Sequence, residues 1–218
     1  MDTRTQRRIF KPIVFVLSLI PFGYLVYALY SDTVFGTRLL TTDPVQKLDR
    51  ELGDWTLIFV ILTLAVRPLA DIVKRNEIVA YRRMIGLFAF FYAVLHVSSY
   101  VGFHLKLDWI TFVKDIVERP FITFGMIAFT LLIPLAVTST KGMIRRLGGR
   151  VWRRLHMAIY GIVILGLVHF YMMIRADFSR PYIYGAIIVL LLGYRVWRKR
   201  RTDNRRRPRV ETASAEAA

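Results

Sequence analysis

Two histidines interrupt "WRRLHMAIYGIVILGLVHF", Trp152 to Phe170, a stretch otherwise apolar enough to cross a membrane. An ionisable side chain inside hydrocarbon is costly, and where one persists it generally faces a partner or a function. The chain has four histidines: His96, His104, His156 and His169. Each alone has an ordinary reading, an imidazole bonded to a Ser, a Tyr or a backbone carbonyl of a neighbouring helix. Together their depths suggest ligation. At about 1.5 Å per residue, His96 lies roughly 20 Å from the inner end of its helix. His169 lies about 22 Å along a second helix of the same direction. Two imidazoles at one level on two helices can clamp a flat macrocycle, with one nitrogen on each axial face of a haem iron. His156, about 3 Å in, could hold a second haem at the inner surface, and His104, roughly 32 Å along, reads as interfacial and non-ligating. One feature resists a single face: 13 residues separate His156 from His169, a rotation near 220° on a regular helix. Either the helix is distorted, for example around Gly161 and Gly166, or the two sites use different gaps.

The elements that must position these side chains are membrane helices. Apolar residues make up 55% of the 218 and mean hydropathy is +0.43, too apolar for an ordinary soluble domain. Six apolar runs approach the roughly 20 residues a crossing needs: Pro12–Tyr30, Trp55–Ala70, Met84–Phe103, Phe121–Thr138, Val151–Ile174 and Tyr182–Trp197. The expectation is an all-α integral membrane protein, a bundle of six transmembrane helices over residues 1–200. A charged, then Ala/Ser/Glu-rich tail over 201–218 is expected to be disordered.

Orientation follows from charge. Of 32 Lys and Arg, 24 fall at the N-terminus, in the second and fourth loops and from Arg195 onward, against 8 in the other three loops. The positive-inside rule then places both termini in the cytoplasm. The net charge of +17 is thereby a topology signal, and no nucleic-acid partner is expected; membrane lipid is the surrounding medium. The opening "TQRRIFK" has a twin-arginine look. The long run behind it, with Pro12 and Pro21 and no small-residue cleavage site, favours a retained helix over a cleaved signal.

Other chemistries fit poorly. Without cysteine there is no thiolate cluster, covalent Cys-X-X-Cys-His haem or cysteine nucleophile. Zinc or non-haem iron recruits three ligands, often with a carboxylate, and the acidic residues read as loop and tail residues away from the histidines. No HExxH, phosphate-binding glycine loop or flavin motif occurs. Arg82, Arg83, Arg153 and Arg154 stand at the inner ends of the two histidine helices and are candidates for holding haem propionates or a flavin phosphate, a position that anchoring alone also explains.

Several segments together, "TTDPVQKLDRELGDW", "LTLAVRPL", "YRRMIGLFAFFYAVLHVSSY", "LAVTS", "WRRLHMAIY" and "LVHFY", resemble the MsrQ (YedZ) family within the wider ferric reductase-like transmembrane proteins. The resemblance covers nearly the whole chain. It implies a multi-pass b-type haem protein of the bacterial inner membrane, with FMN as a second cofactor. Such a protein takes electrons from the quinone pool or a cytoplasmic flavin reductase. It passes them to MsrP, a periplasmic molybdopterin enzyme that reduces methionine sulfoxide in proteins. The family's haem histidines fall on His96, His156 and His169, whereas a fourth histidine of the wider family's third helix is replaced here by Arg83. The rival readings are a ferric or other quinone-linked cytochrome b reductase, and a non-redox transporter or assembly factor. Transporters tend to show repeats and broken midplane helices, and neither is evident in this sequence.

Overall fold

The computed structural model describes the backbone of residues 3–215 and the side chains of residues 10–202. The side chains of Arg4, Arg7 and Arg8 of the N-terminal basic cluster, and all but the first two side chains of the expected tail, lie outside those described. The described chain is helical: α1 (Thr3–Phe35), α2 (Pro44–Ile72), a 3₁₀ turn (Asn76–Tyr81), α3 (Arg82–Ser99), a π turn (Tyr100–His104), α4 (Trp109–Glu118), α5 (Pro120–Val137), α6 (Lys141–Leu155), a 3₁₀ turn (His156–Ala158), α7 (Ile159–Met173) and α8 (Ser179–Ala215). Five stretches are long and apolar enough to cross a membrane: Phe10–Phe35, Pro44–Ile72, Asn76–His104, Pro120–Val137 and Lys141–Met173. The chain is thus a multi-pass membrane protein. The sixth expected run lies on α8, where Arg195 and Arg198 dilute its apolar character.

α2 begins well before its apolar run because its start is well capped. The Asp43 carboxylate accepts from the Gln46 amide at 3.0 Å, and Pro44 occupies the first helical turn, where its missing N–H costs nothing. This central helix packs on α3, and its Leu64 is fully buried, as are Tyr92 of α3 and Val163 of α7. Phe59 stacks on Tyr92, with ring centroids 5.1 Å apart. Outward-facing side chains such as Val16 and Leu17 on α1 and Val189 and Leu190 on α8 are exposed, as a lipid-facing surface requires.

Tyr92 also splices into α1. Its hydroxyl donates to the Ser18 carbonyl at 2.8 Å and accepts from the Phe22 amide at 3.1 Å. Those two backbone groups would otherwise bond each other across one turn, next to Pro21. A side chain inserted in the helical ladder is a recognised cause of helix bending, and here it satisfies both backbone groups from the neighbouring helix. α6 is likewise broken by Gly148, at φ +72°, a left-handed conformation in which a Cβ would be strained.

α8 is tied to α2 at two levels. Near its start, Arg180 Nη1 donates to Asp54 Oδ2 at 2.8 Å. Near Asp71, the Tyr194 hydroxyl donates to Oδ2 at 2.8 Å and Arg198 Nε stands 2.9 Å from the same atom. Beyond the π turn, Asp108 caps α4 by accepting from the amides of Ile110 and Thr111, each at 3.0 Å. The Thr111 hydroxyl bonded to Asp108 holds that carboxyl below the usual carboxylate range. α4 turns Trp109, Ile110, Val113 and Val117 outward. It joins the ends of two spanning segments and so sits at the membrane boundary, where an amphipathic helix with an apolar outer face is stable.

Candidate functional site

His96 on α3 and His169 on α7 meet. Their ring centroids lie 6.1 Å apart with the planes at 71°. Each ring is held by backbone. His96 Nδ1 donates to the Asp49 carbonyl at 2.9 Å, and His169 Nδ1 donates to the Phe121 carbonyl at 2.6 Å. A carbonyl oxygen only accepts, so Nδ1 carries the proton in both rings and Nε2 keeps its lone pair. That is the tautomer of a metal-ligating histidine, whose other nitrogen is oriented by an outer partner.

The two supporting helices use one device. A Cβ built on Gly53 would stand 3.2 Å from His96 Cε1, and one on Gly125 would stand 2.9 Å from His169 Nδ1. Gly53 is four residues after Asp49, and Gly125 four after Phe121, so each glycine shares a helix face with the carbonyl that holds the ring. The bare glycine lets the ring lie against the helix, and the carbonyl one turn earlier takes its proton. Neither glycine stands out in the sequence. What could have pointed to them is a glycine at a spanning helix position facing a histidine of equal depth.

The expectation that acidic residues stay away from the histidines is corrected. Because α2 starts at Pro44, Asp49 and Asp54 lie in its first turns. Asp49 Oδ1 is 3.3 Å from His96 Nδ1 and has no hydrogen-bond partner among the described residues. Asp54 is committed to Arg180.

His156 sits 13 residues earlier, at the other end of the same span. Nδ1 donates to the Trp152 carbonyl at 3.1 Å, and the ring stacks on Trp152 with centroids 3.9 Å apart. Its Nε2 is buried and unpartnered among the described residues. Trp152, on which the ring stacks, donates from Nε1 to the Thr138 carbonyl at 3.0 Å, so His156 sits by the C-terminal end of α5, whose first turn His169 meets at Phe121. The distortion that allows this is the 3₁₀ turn His156–Ala158, and Gly161 and Gly166 lie within regular α7. Three residues at 120° instead of 100° add about 60° of rotation, which leaves about 80° between the two side chains where a regular helix would leave about 140°.

The four arginines divide. Arg82 is half-buried, whereas Arg83, Arg153 and Arg154 are exposed. The sequence count places Arg195 with the tail, but it lies inside α8, donating to the Tyr160 hydroxyl at 2.7 Å and the Leu64 carbonyl at 3.2 Å, with its charge acting on Arg82. His104 is exposed and stacks on Tyr100, 5.5 Å between centroids. Tyr100 in turn donates to Asp115, which Arg119 pairs at 2.8 Å.

Among the described residues no three His, Asp or Glu side chains converge as a metal-holding group. Two facing imidazoles are too few for a zinc or non-haem iron site. They suit an iron that brings four equatorial nitrogens of its own. The centroid spacing agrees, since two metal–nitrogen bonds of about 2 Å plus half a ring on each side come to roughly 6 Å.

Residues 52–167 match the ferric reductase like transmembrane component family. The chain is 43% identical over 206 residues to the protein-methionine-sulfoxide reductase heme-binding subunit MsrQ of Caulobacter vibrioides, over 94% of this chain and 95% of that protein. It is 43% identical over 204 residues to the MsrQ of Herminiimonas arsenicoxydans, over 91% of each. The magnetosome protein MamZ of Magnetospirillum gryphiswaldense is 42% identical over 196 residues, which cover 90% of this chain and 30% of MamZ. Identity at this level over nearly the whole of two MsrQ chains, on helices that match the ferric reductase-like component, means that the chain belongs to the MsrQ family.

Proposed function

We propose that the chain is the haem-binding membrane subunit of a protein-methionine-sulfoxide reductase system of the bacterial inner membrane. It takes electrons from the quinone pool or a cytoplasmic flavin reductase and delivers them to periplasmic MsrP, for repair of methionine sulfoxide in periplasmic proteins. The observation that carries this reading is the His96–His169 pair, two imidazoles 6.1 Å apart with both Nδ1 protons committed to carbonyls. Haem b bound there supplies reversible one-electron exchange. His96 and His169 hold it, and the close packing of α2, α3, α5 and α7 keeps water out.

His156 is the ligand at an inner site, which takes a second haem. Arg82, Arg83, Arg153 and Arg154 form the basic surface around it, suited to propionates or to the phosphate of FMN. A cytoplasmic donor approaches this face, drawn by its positive charge. MsrP docks on the opposite face, on the loops around residues 103–120 and 175–181.

This path needs a sixth crossing and both termini in the cytoplasm. The ties between α2 and α8 support it. Asp54 and Asp71 are 17 residues apart and Arg180 and Arg198 are 18 apart, about 26 Å of helix in each case. That is close to the roughly 30 Å of a hydrocarbon core, and the intervening α8 stretch from Tyr182 to Leu192 is free of charge. α8 therefore crosses beside α2, with its polar ties at the two boundaries.

The test is an absorption spectrum of the purified protein with a pyridine haemochrome assay, then reduction in liposomes with MsrP outside. A reducible low-spin b-type spectrum that His96→Ala and His169→Ala lose together, with methionine sulfoxide reduction on adding MsrP, is the expected result. A colourless preparation after haem supplementation refutes the reading. Haem without electron delivery to MsrP, but with ferric reduction, would move the chain to the ferric reductases.

A further inference from the structure

The two ligands of the His96–His169 pair are held unequally. Both Nδ1 atoms meet a backbone carbonyl. Only His96 also meets a carboxylate, Asp49 Oδ1 at 3.3 Å, and that oxygen is buried with no hydrogen-bond partner among the described residues. Other acids near the outer end of the bundle are engaged elsewhere: Asp54 with Arg180, Asp115 with Arg119 and Tyr100, Glu51 with Lys47. A buried carboxylate oxygen left with nothing but an imidazole N–H beside it is expensive unless that contact is used.

Resting on the haem reading above, we propose that Asp49 is a positioning residue that sets the redox poise of the outer site, acting through His96. A carboxylate oxygen 3.3 Å from Nδ1, beside the N–H that the Asp49 carbonyl accepts, puts negative charge at the ring and makes Nε2 a stronger donor, the electrostatic effect that carboxylates exert on ligating histidines at metal sites. A stronger donor favours iron(III), which carries one more positive charge than iron(II), so the site holds its electron less tightly. His169 has no such partner, because Phe121 offers a carbonyl and an apolar ring. Gly53 completes the arrangement. It lies on the same face of α2 one turn further on, and without a Cβ, which would stand 3.2 Å from the His96 ring edge, it lets the ring lie against the helix beside Asp49. An electron held loosely on the outer side is one that an outer acceptor can take.

Asp49→Asn removes the charge and keeps the shape. The full-length protein in nanodiscs is titrated spectroelectrochemically, and its ferric low-spin electron paramagnetic resonance spectrum is recorded. Asp49→Asn is expected to keep wild-type haem content and six-coordination while its reduction equilibrium shifts about tenfold toward iron(II), about 59 mV upward for one electron. The g-anisotropy should shift as the donor strength of His96 falls. Asp49→Glu, which retains the charge, should lie nearer wild type in both measurements. An unchanged potential in Asp49→Asn overturns the proposal. So does haem loss from Asp49→Asn and Asp49→Glu alike, which would make Asp49 a determinant of folding. Failure of the underlying reading looks different: wild type without haem, or an unaltered spectrum in His96→Ala.

Discussion

Alanine at Gly125 puts a methyl group 2.9 Å from Nδ1, 3.0 Å from Cε1 and 3.3 Å from Cγ of His169. All three atoms belong to one rigid ring, so no flexible end can move aside. The ring must swing off its rotamer, at about 0.5–1.5 kcal/mol, and strain or lose its 2.6 Å bond to the Phe121 carbonyl. Losing a buried hydrogen bond costs about 1–3 kcal/mol. Alanine returns about 1 kcal/mol of helix propensity, which leaves a net penalty of roughly 0.5–3.5 kcal/mol. If that falls on the ligating conformation, haem affinity drops about 2–300-fold, at about 1.4 kcal/mol per tenfold. The same change at Gly53 meets His96 at 3.2, 3.5 and 3.6 Å, where a shift of a few tenths of an ångström suffices, and the propensity gain roughly cancels the cost. Haem titrated into the purified apo-forms of the two variants, followed by difference absorption, should rank Gly125→Ala well below Gly53→Ala, itself near wild type. Gly125→Ala binding at wild-type affinity, or the reverse ranking, would refute the account of glycines as ring seats.

Tyr92→Phe leaves the Ser18 carbonyl and Phe22 amide to rejoin across a bend shaped around the lost hydroxyl. A loss of about 1–3 kcal/mol is expected, read as a lower midpoint of thermal unfolding with the haem spectrum preserved. His104→Ala should leave the spectrum unchanged, since the side chain is exposed and stacked on Tyr100 away from the pair; a haem loss equal to that of His96→Ala would mean general destabilisation had been mistaken for ligation. The Asp108 carboxyl is depressed by Thr111, so its cap on α4 is present at neutral pH and is lost as pH falls below the usual carboxylate range through the lower folded value. Hydrogen exchange across α4 should rise in that acid window and not above it. A C-terminal fusion to a reporter active only in the periplasm should stay silent, and a signal from it would contradict the sixth crossing.

Much of this protein is legible in one dimension, because hydrocarbon imposes one-dimensional rules. Apolar length gives five of the six expected crossings, Lys and Arg asymmetry gives an expected direction, and a constant rise per residue gives the depth at which His96 and His169 come level. Depth survives small errors in helix ends, since each residue contributes only about 1.5 Å. Rotation does not, because each residue turns the helix by about 100° and one short 3₁₀ turn changes which neighbours a side chain faces. The turn at His156–Ala158 brings His156 closer to the face of His169 than a regular-helix count places it. Helix ends carry the same weight. Read by hydropathy, α2 begins at Trp55, and read by its Asp43–Pro44 cap it begins at Pro44, which moves Asp49 from a loop to the side of His96. The partners that make the site, Asp49 with His96 and Phe121 with His169, stand 47 and 48 residues apart. No local pattern encodes such pairs, and only the packing of α2 on α3 and of α5 on α7 selects which carbonyl, and which glycine, each imidazole meets.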